Sequence, residues 1–199
     1  MNKQHFIGFD PGTVSGSIAV IAPDDSIRLF KMPLLPKVGT YNRHDPTALH
    51  SLLLPYTGAI VVVESVCFGG RDDQHKTSAE MLIRSHESFL TICAVLGIQV
   101  RNMETPAWRK MAGSYLLGTD EQAICEYAAN LFPSVKNELI VKKKRGEGYI
   151  YNHNFSESLL MAYCARLIHY KDESYQQKIR SLPQPNRERP ATHKNKPIS

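Results

Sequence analysis

Three acidic residues stand where an acid is expensive. Asp10 closes the apolar run FIGF and is followed at once by the turn residues Pro11 and Gly12. Glu64 closes the β-branched run AIVVV, and Glu157 immediately precedes the apolar stretch SLLMAYCARL. A half-buried carboxylate costs several kcal/mol unless it is paired or coordinated. Carboxylates that share a site repel one another unless a cation lies between them, and a set of oxygen donors suits Mg²⁺ or Mn²⁺. His153 and Asn154 lie four and three residues before Glu157, close enough in a helical or capping geometry to reach the same place. The chemistry these residue types offer is that of a divalent ion held by oxygen ligands.

Such a set works only if the fold brings its members together. Strand candidates at residues 5–9, 17–21 and 27–32 are separated by Pro11 and Gly12 and by Pro23, Asp24 and Asp25, a spacing that predicts an antiparallel meander. Asp45 and Pro46 supply an N-cap and a first helical position for a short helix ending before Gly58. Residues 59–66 are a continuous apolar run, as expected of a central strand covered on both faces. A long helix over residues 79–96 stops at Gly97, and residues 98–103 give a fifth strand. Pro106 opens a helical turn around Trp108, and Thr119 with Gln122 forms a capping-box pattern for a helix running to Phe132. A basic loop then leads to a last helix over residues 155–170. This order predicts a mixed five-stranded sheet of the α/β class flanked by helices. If the first and fourth strands are parallel neighbours, Asp10 and Glu64 converge at one rim of the sheet, the usual place for a site in such folds. A last helix packed by its apolar face brings Glu157 to the same rim.

With 199 residues and 42% hydrophobic content, the chain suits one domain with a substantial core. That domain is expected over residues 1–170, with residues 171–199 as a Pro-containing tail too poor in apolar side chains to fold alone. The tail carries seven Lys or Arg against three acids and accounts for most of the net charge of +5. Such a tail can hold a polyanion or simply be a solvated end. No stretch approaches the roughly 18 to 20 apolar residues of a membrane span, and with the first strand starting by His5 no signal or transit peptide is expected. Cys67, Cys93, Cys125 and Cys164 are scattered without a CxxC pair, the pattern of free thiols in a reducing compartment. A soluble, cytoplasmic protein with no membrane partner is the expectation.

In this order and spacing, IGFDPGTVSGSIAVI, VVVES and HNFSESLLMAYCA resemble the three acidic motifs of the RuvC-type Holliday-junction resolvases of the RNase H-like superfamily, over residues 6–170. The resemblance implies an RNase H-like fold and a metal-dependent endonuclease that cuts four-way DNA junctions in a bacterium or a phage-infected cell. It further implies a homodimer, because a four-way junction has two-fold symmetry and needs paired cuts. Asp10, Glu64 and Glu157 take the places of the family's metal-binding acids. Glu157 stands where the family has aspartate, and the fourth position, aspartate or histidine in the family, is Asn154 here. Either His153 supplies the fourth ligand from one residue away or Asn154 binds through its amide oxygen. Two ions, Mg²⁺ or Mn²⁺, about 3.5 to 4 Å apart would then activate a water for in-line attack on a phosphodiester, leaving 5′-phosphate ends.

Other positions carry two readings each. Phe68, four residues after Glu64, is either a wedge that stacks on an unpaired base or a side chain packed beneath its loop. Arg109 and Lys110 either approach the scissile phosphate or lie on a solvated helix face. Lys142, Lys143, Lys144 and Arg145 precede the last helix and are either a mobile surface loop or, beside the expected metals, contacts for phosphates, the second being the expectation. The same fold also serves nucleases acting on flaps or structured RNA, and the departure at Asn154 leaves room for an inactive junction-binding protein. FDPGTVSGS further resembles the first phosphate loop of actin-like and sugar-kinase ATPases, but that architecture needs a second such domain with another Gly-rich phosphate loop, which is not expected within these 199 residues.

Overall fold

The computed structural model describes residues 4–12, 16–36, 44–66, 76–144 and 146–170, with the side chains of 76–79 left aside. Phe68, Arg145, Cys67 and the tail expected over 171–199 lie outside the described residues.

The three leading strands form as the turn residues dictate. β1 (Phe6–Asp10), β2 (Ser17–Ile21) and β3 (Ile27–Lys31) make an antiparallel meander, with Phe9 opposite Ile18 and Val20 opposite Arg28. Asp45 caps α1 (Pro46–Leu53), its carboxylate accepting from the backbone N–H groups of Thr47 and Ala48 at 3.0 Å each. β4 (Ile60–Glu64) then enters beside β1 in parallel, and β5 (Gln99–Met103) joins its other edge. The sheet order is β3-β2-β1-β4-β5, the mixed five-stranded sheet that the sequence predicts.

Both faces of the sheet are covered. On one, Ile7, Phe9, Val61 and Val63 pack against Leu49 and Leu53 of α1 and Phe89, Ile92 and Cys93 of α2 (Lys76–Val95), with the rings of Phe9 and Phe89 stacked at 3.9 Å. On the other, Phe6, Ala19, Ile21 and Val62 meet α3 (Thr105–Ala112), α4 (Glu121–Leu131) and above all α6 (His153–Tyr170). Ten residues of α6, from Ser156 to Leu167, are buried, which is the burial of a central core helix and not of an amphipathic surface one.

Gly8 explains how α6 comes so close. It sits on the α6 face of β1, where an added Cβ would lie 1.8 Å from the Ser158 carbonyl oxygen and 2.4 Å from the Ala162 nitrogen. Only a residue without a side chain lets the helix backbone rest on the strand there. Ser17, opposite Asp10 in the sheet, ties the start of the same helix down: its hydroxyl donates to the Asn154 carbonyl at 2.7 Å and lies 2.9 Å from the Ser158 hydroxyl.

Three local expectations are corrected. α4 is capped by Asp120, which accepts from the Ala123 N–H at 3.1 Å, and not by a Thr119–Gln122 box; Gln122 turns to Glu126 at 2.9 Å instead. α2 begins at Lys76, a turn before its apolar periodicity starts, because periodicity registers packing and is blind to a polar first turn. The basic loop is a hairpin. After the single turn α5 (Lys136–Leu139), β6 (Ile140–Lys142) pairs antiparallel with β7 (Tyr149–Tyr151), the apolar strand signal on one side having been masked by three lysines. No helix among the described residues is long and apolar enough to cross a membrane.

The Gly8 contact is the most sensitive point of this packing. Gly8→Ala should destabilise the fold by about 3 kcal/mol or more by forcing β1 and α6 apart, read as a lowered midpoint in urea unfolding. A midpoint equal to that of the unaltered protein would show that the helix does not rest on the strand at this point.

Candidate metal centre

The parallel pairing of β1 with β4 runs in register from Phe6 opposite Ile60 to Phe9 opposite Val63. The next residues are Asp10 and Glu64, side by side at the carboxyl ends of the two strands. Alternation along a strand puts Gly8 and Asp10 on one face, and Val62 and Glu64 on the same one. Both carboxylates therefore face α6, which Gly8 allows to lie close. The chain enters that helix through Asn152, whose N–H donates to the Leu139 carbonyl at 2.8 Å and whose amide bonds the Glu138 carbonyl. One turn further on, α6 presents Glu157.

Asp10, Glu64 and Glu157 each offer a carboxylate oxygen within 4.8 Å of the other two. Asp10 and Glu157 are buried and Glu64 is partly so. The set contains no thiolate and consists of hard oxygen donors, so it fits Mg²⁺ or Mn²⁺ better than a soft metal. Its electrostatics favour a positive charge among the acids. Burial, then the charges of Glu157 and Glu64, push the Asp10 carboxyl up to about 8, against a smaller opposing pull from His153. Burial also raises Glu64, although a hydrogen bond from the Thr105 hydroxyl favours its charged form. Glu157 goes the other way: burial would raise it, but bonds from His153 and Arg109 outweigh that and hold it below the usual carboxylate range. A cluster in which the central acid resists ionisation is one that a cation would relieve.

His153 places Nε2 3.1 Å from Glu157 Oε2, one helical turn away. Its bond to Glu157 comes first among the causes that raise its pKa, against the opposing effect of burial. Asn154 sits beside it in the first turn of α6, its backbone carbonyl taken by Ser17. Arg109, read in the sequence as a phosphate contact or a solvated residue, is turned inward: one terminal nitrogen is 2.5 Å from Glu157 Oε1 and the other bonds the Gly118 carbonyl. Lys110 is exposed. Lys142, Lys143 and Lys144 are exposed on the β6–β7 hairpin, whose Tyr149 and Ile150 are also open to solvent. Two supporting residues, Thr105 behind Glu64 and Ser17 beside Asp10, escaped the sequence reading. The signal for Thr105 was a hydroxyl residue directly after the fifth strand, and hydroxyls at helix starts read more simply as caps.

The raised Asp10 pKa has a definite sign. Its folded value of about 8 lies above the 3.8 of an unperturbed aspartate, so the metal-free fold favours the protonated acid and loses stability as pH rises from about 4 towards 8. Asp10→Asn should therefore raise the melting temperature of the metal-free protein at pH 8 and flatten its decline across that window. Millimolar Mn²⁺ should raise the melting temperature of the unaltered protein and leave that of the variant almost unmoved, as read by scanning fluorimetry. An equal Mn²⁺ effect on both proteins would remove Asp10 from the metal site.

No family model matches the sequence, and no curated protein matches it. Solved structures do. RuvC from Thermus thermophilus, in complex with a Holliday junction substrate, aligns with 85% of this chain and 96% of its own at 12% identity, with a TM-score of 0.52. A further Thermus thermophilus RuvC structure aligns with 82% of this chain and 96% of its own at 12% identity and TM-score 0.48. The yeast mitochondrial Holliday junction resolvase Ydc2 aligns with 86% of this chain and 83% of its own at 13% identity and TM-score 0.46. At 12% identity the RuvC complex speaks for the path of the backbone alone, and by that path the chain has a mixed-sheet fold like that of RuvC.

Proposed function

We propose that the protein is a metal-dependent endonuclease that cuts four-way DNA junctions. The observation that carries this reading is the convergence of Asp10, Glu64 and Glu157 at the strand ends of a fold shared with a structure described as RuvC bound to a Holliday junction substrate. Two Mg²⁺ or Mn²⁺ ions held by these acids would supply an activated water and stabilise the leaving 3′-oxygen.

The chain's own residues set the geometry for that chemistry. Asp10, at the end of a fully buried strand, would hold the metal together with Glu64 and Glu157; a rigid strand end places it more accurately than a loop would. Glu64 is oriented by the Thr105 hydroxyl. His153 supplies the fourth group in preference to Asn154, since its ring is in contact with Glu157 and near enough to Asp10 to bear on that acid's charge. In-line hydrolysis leaves a 5′-phosphate and a 3′-hydroxyl.

Lys142, Lys143, Lys144 and Arg145 meet the phosphates that flank the cut, as does Lys110, exposed on α3. The hairpin that carries the three described lysines leads through Asn152 into the helix of the metal site, which supports placing its charges along the bound DNA. Phe68, four residues after Glu64 in the sequence, enters the branch point. Paired cuts require two copies of the chain related by the junction's two-fold axis.

Side-by-side assays on a four-way junction, a flap, duplex DNA and an RNA–DNA hybrid in Mg²⁺ or Mn²⁺ test the reading. Symmetric nicks confined to the junction are expected; a preference for the flap or the hybrid would move the protein to another RNase H-like nuclease class. Absence of cleavage with retained junction binding would make it a binding protein. Asp10→Asn should abolish cleavage and leave junction affinity nearly intact. Replacing Lys142, Lys143 and Lys144 together by alanine should weaken junction binding and lower the slope of log affinity against log salt by about 2 to 3. An unchanged slope would take the hairpin out of the interface.

A further inference from the structure

Both oxygens of the Glu157 carboxylate are held by the protein itself. His153 holds Oε2 from one helical turn away, and Arg109 holds Oε1 from a different element, α3, at 2.5 Å. The Arg109 side chain is 12% exposed, so it is neither a solvated surface cation nor one presented outward to a polyanion.

Its position is built from several sides. The second terminal nitrogen bonds the Gly118 carbonyl, and Gly118 has φ +60 and ψ −130, a conformation that side-chain-bearing residues rarely adopt. The guanidinium carbon lies 5.3 Å from the centre of the Trp108 ring, itself fully buried against α6. Arg109 Nε is buried without a protein partner. Its direct carboxylate contact is Glu157, and its charge also bears on Glu64. We propose that Arg109 is a positioning residue: its planar fork, anchored on the Gly118 carbonyl, fixes the Glu157 carboxylate facing Asp10 and Glu64 so that the three acids form a divalent-metal site.

The argument for a fork and not a mere charge is geometric. Lysine presents a single ammonium on a flexible stem and cannot span the Gly118 carbonyl and Glu157 in fixed directions, whereas the two terminal nitrogens of arginine do so at once. Groups that hold a ligating carboxylate in this way commonly change metal affinity by 10- to 100-fold when removed. The inference rests on the reading of the acidic trio as a metal site.

Mn²⁺ titration of the protein alone, followed by the electron paramagnetic resonance signal of free Mn²⁺, tests it without any need for cleavage. Arg109→Met should weaken Mn²⁺ binding by about tenfold, and Arg109→Lys, which keeps the charge and most of the aliphatic stem, should recover only part of that loss. Junction affinity measured in Ca²⁺ should stay within about twofold of the unaltered protein for both. Affinity for Mn²⁺ equal to that of the unaltered protein in Arg109→Lys would overturn the positioning role, and this arm stands alone if the methionine variant does not fold. A loss of junction affinity with a salt slope lowered by about 1 and unchanged Mn²⁺ binding would instead make Arg109 a phosphate contact. If the unaltered protein binds no Mn²⁺, the metal reading itself fails, an outcome distinct from the failure of Arg109 alone.

Discussion

The closeness of α6 to β1 governs what the rest of the molecule can do. A helix ordinarily packs on a sheet through layers of side chains, but at Gly8 the helix backbone rests on the strand itself, with no room for a methyl group. Because side chains alternate along a strand, the face that carries this glycine two residues later carries Asp10. The same small residue that admits the helix therefore decides that the acid is brought under it, and parallel pairing with β4 adds Glu64 beside it. Glu157 reaches them because the helix begins at the rim and is pinned there by Ser17 and by the Asn152 contacts with residues 138 and 139.

That closeness sets an electrostatic problem and its answer. Three carboxylates in a half-buried corner cannot all be charged without compensation, and the structure divides the compensation unevenly. Glu157 is in contact with Arg109 and His153, Glu64 with the Thr105 hydroxyl, and Asp10 feels only a smaller pull from His153 and resists ionisation. The uneven division gives the cluster a direction: the oxygen left most in need of a positive charge is the one on the rigid strand end. A cation arriving there meets two acids already oriented by their neighbours.

Much of this was legible in the residues before any coordinates. Asp10 and Glu64 stood out because a single acid ending an apolar run is costly, and the meander followed from the turn residues at 11–12 and 23–25. The central strand showed itself by continuous β-branched side chains. What stayed hidden depended on relations between distant residues. Nothing local marks Arg109 as the partner of Glu157, since an arginine followed by a lysine after tryptophan reads equally as a surface pair. Nothing in the run FIGFD singles out Gly8, and only the position of α6 shows that it is the contact. The β6–β7 hairpin was masked because three lysines and two glycines carry a strong loop signal while the pairing energy lies in Ile140, Val141 and Ile150 on either side.

The three acids lie at residues 10, 64 and 157, far apart along the chain and joined only by the finished sheet and its last helix. A growing chain holds the first two long before the third exists, and Arg109 has no carboxylate to grip until α6 docks. Loop-closure entropy makes contacts of such separation late in folding. Competence for chemistry is thus tied to completion of the tertiary structure, and a partly folded or truncated chain that lacks its last helix carries two isolated acids and no assembled centre.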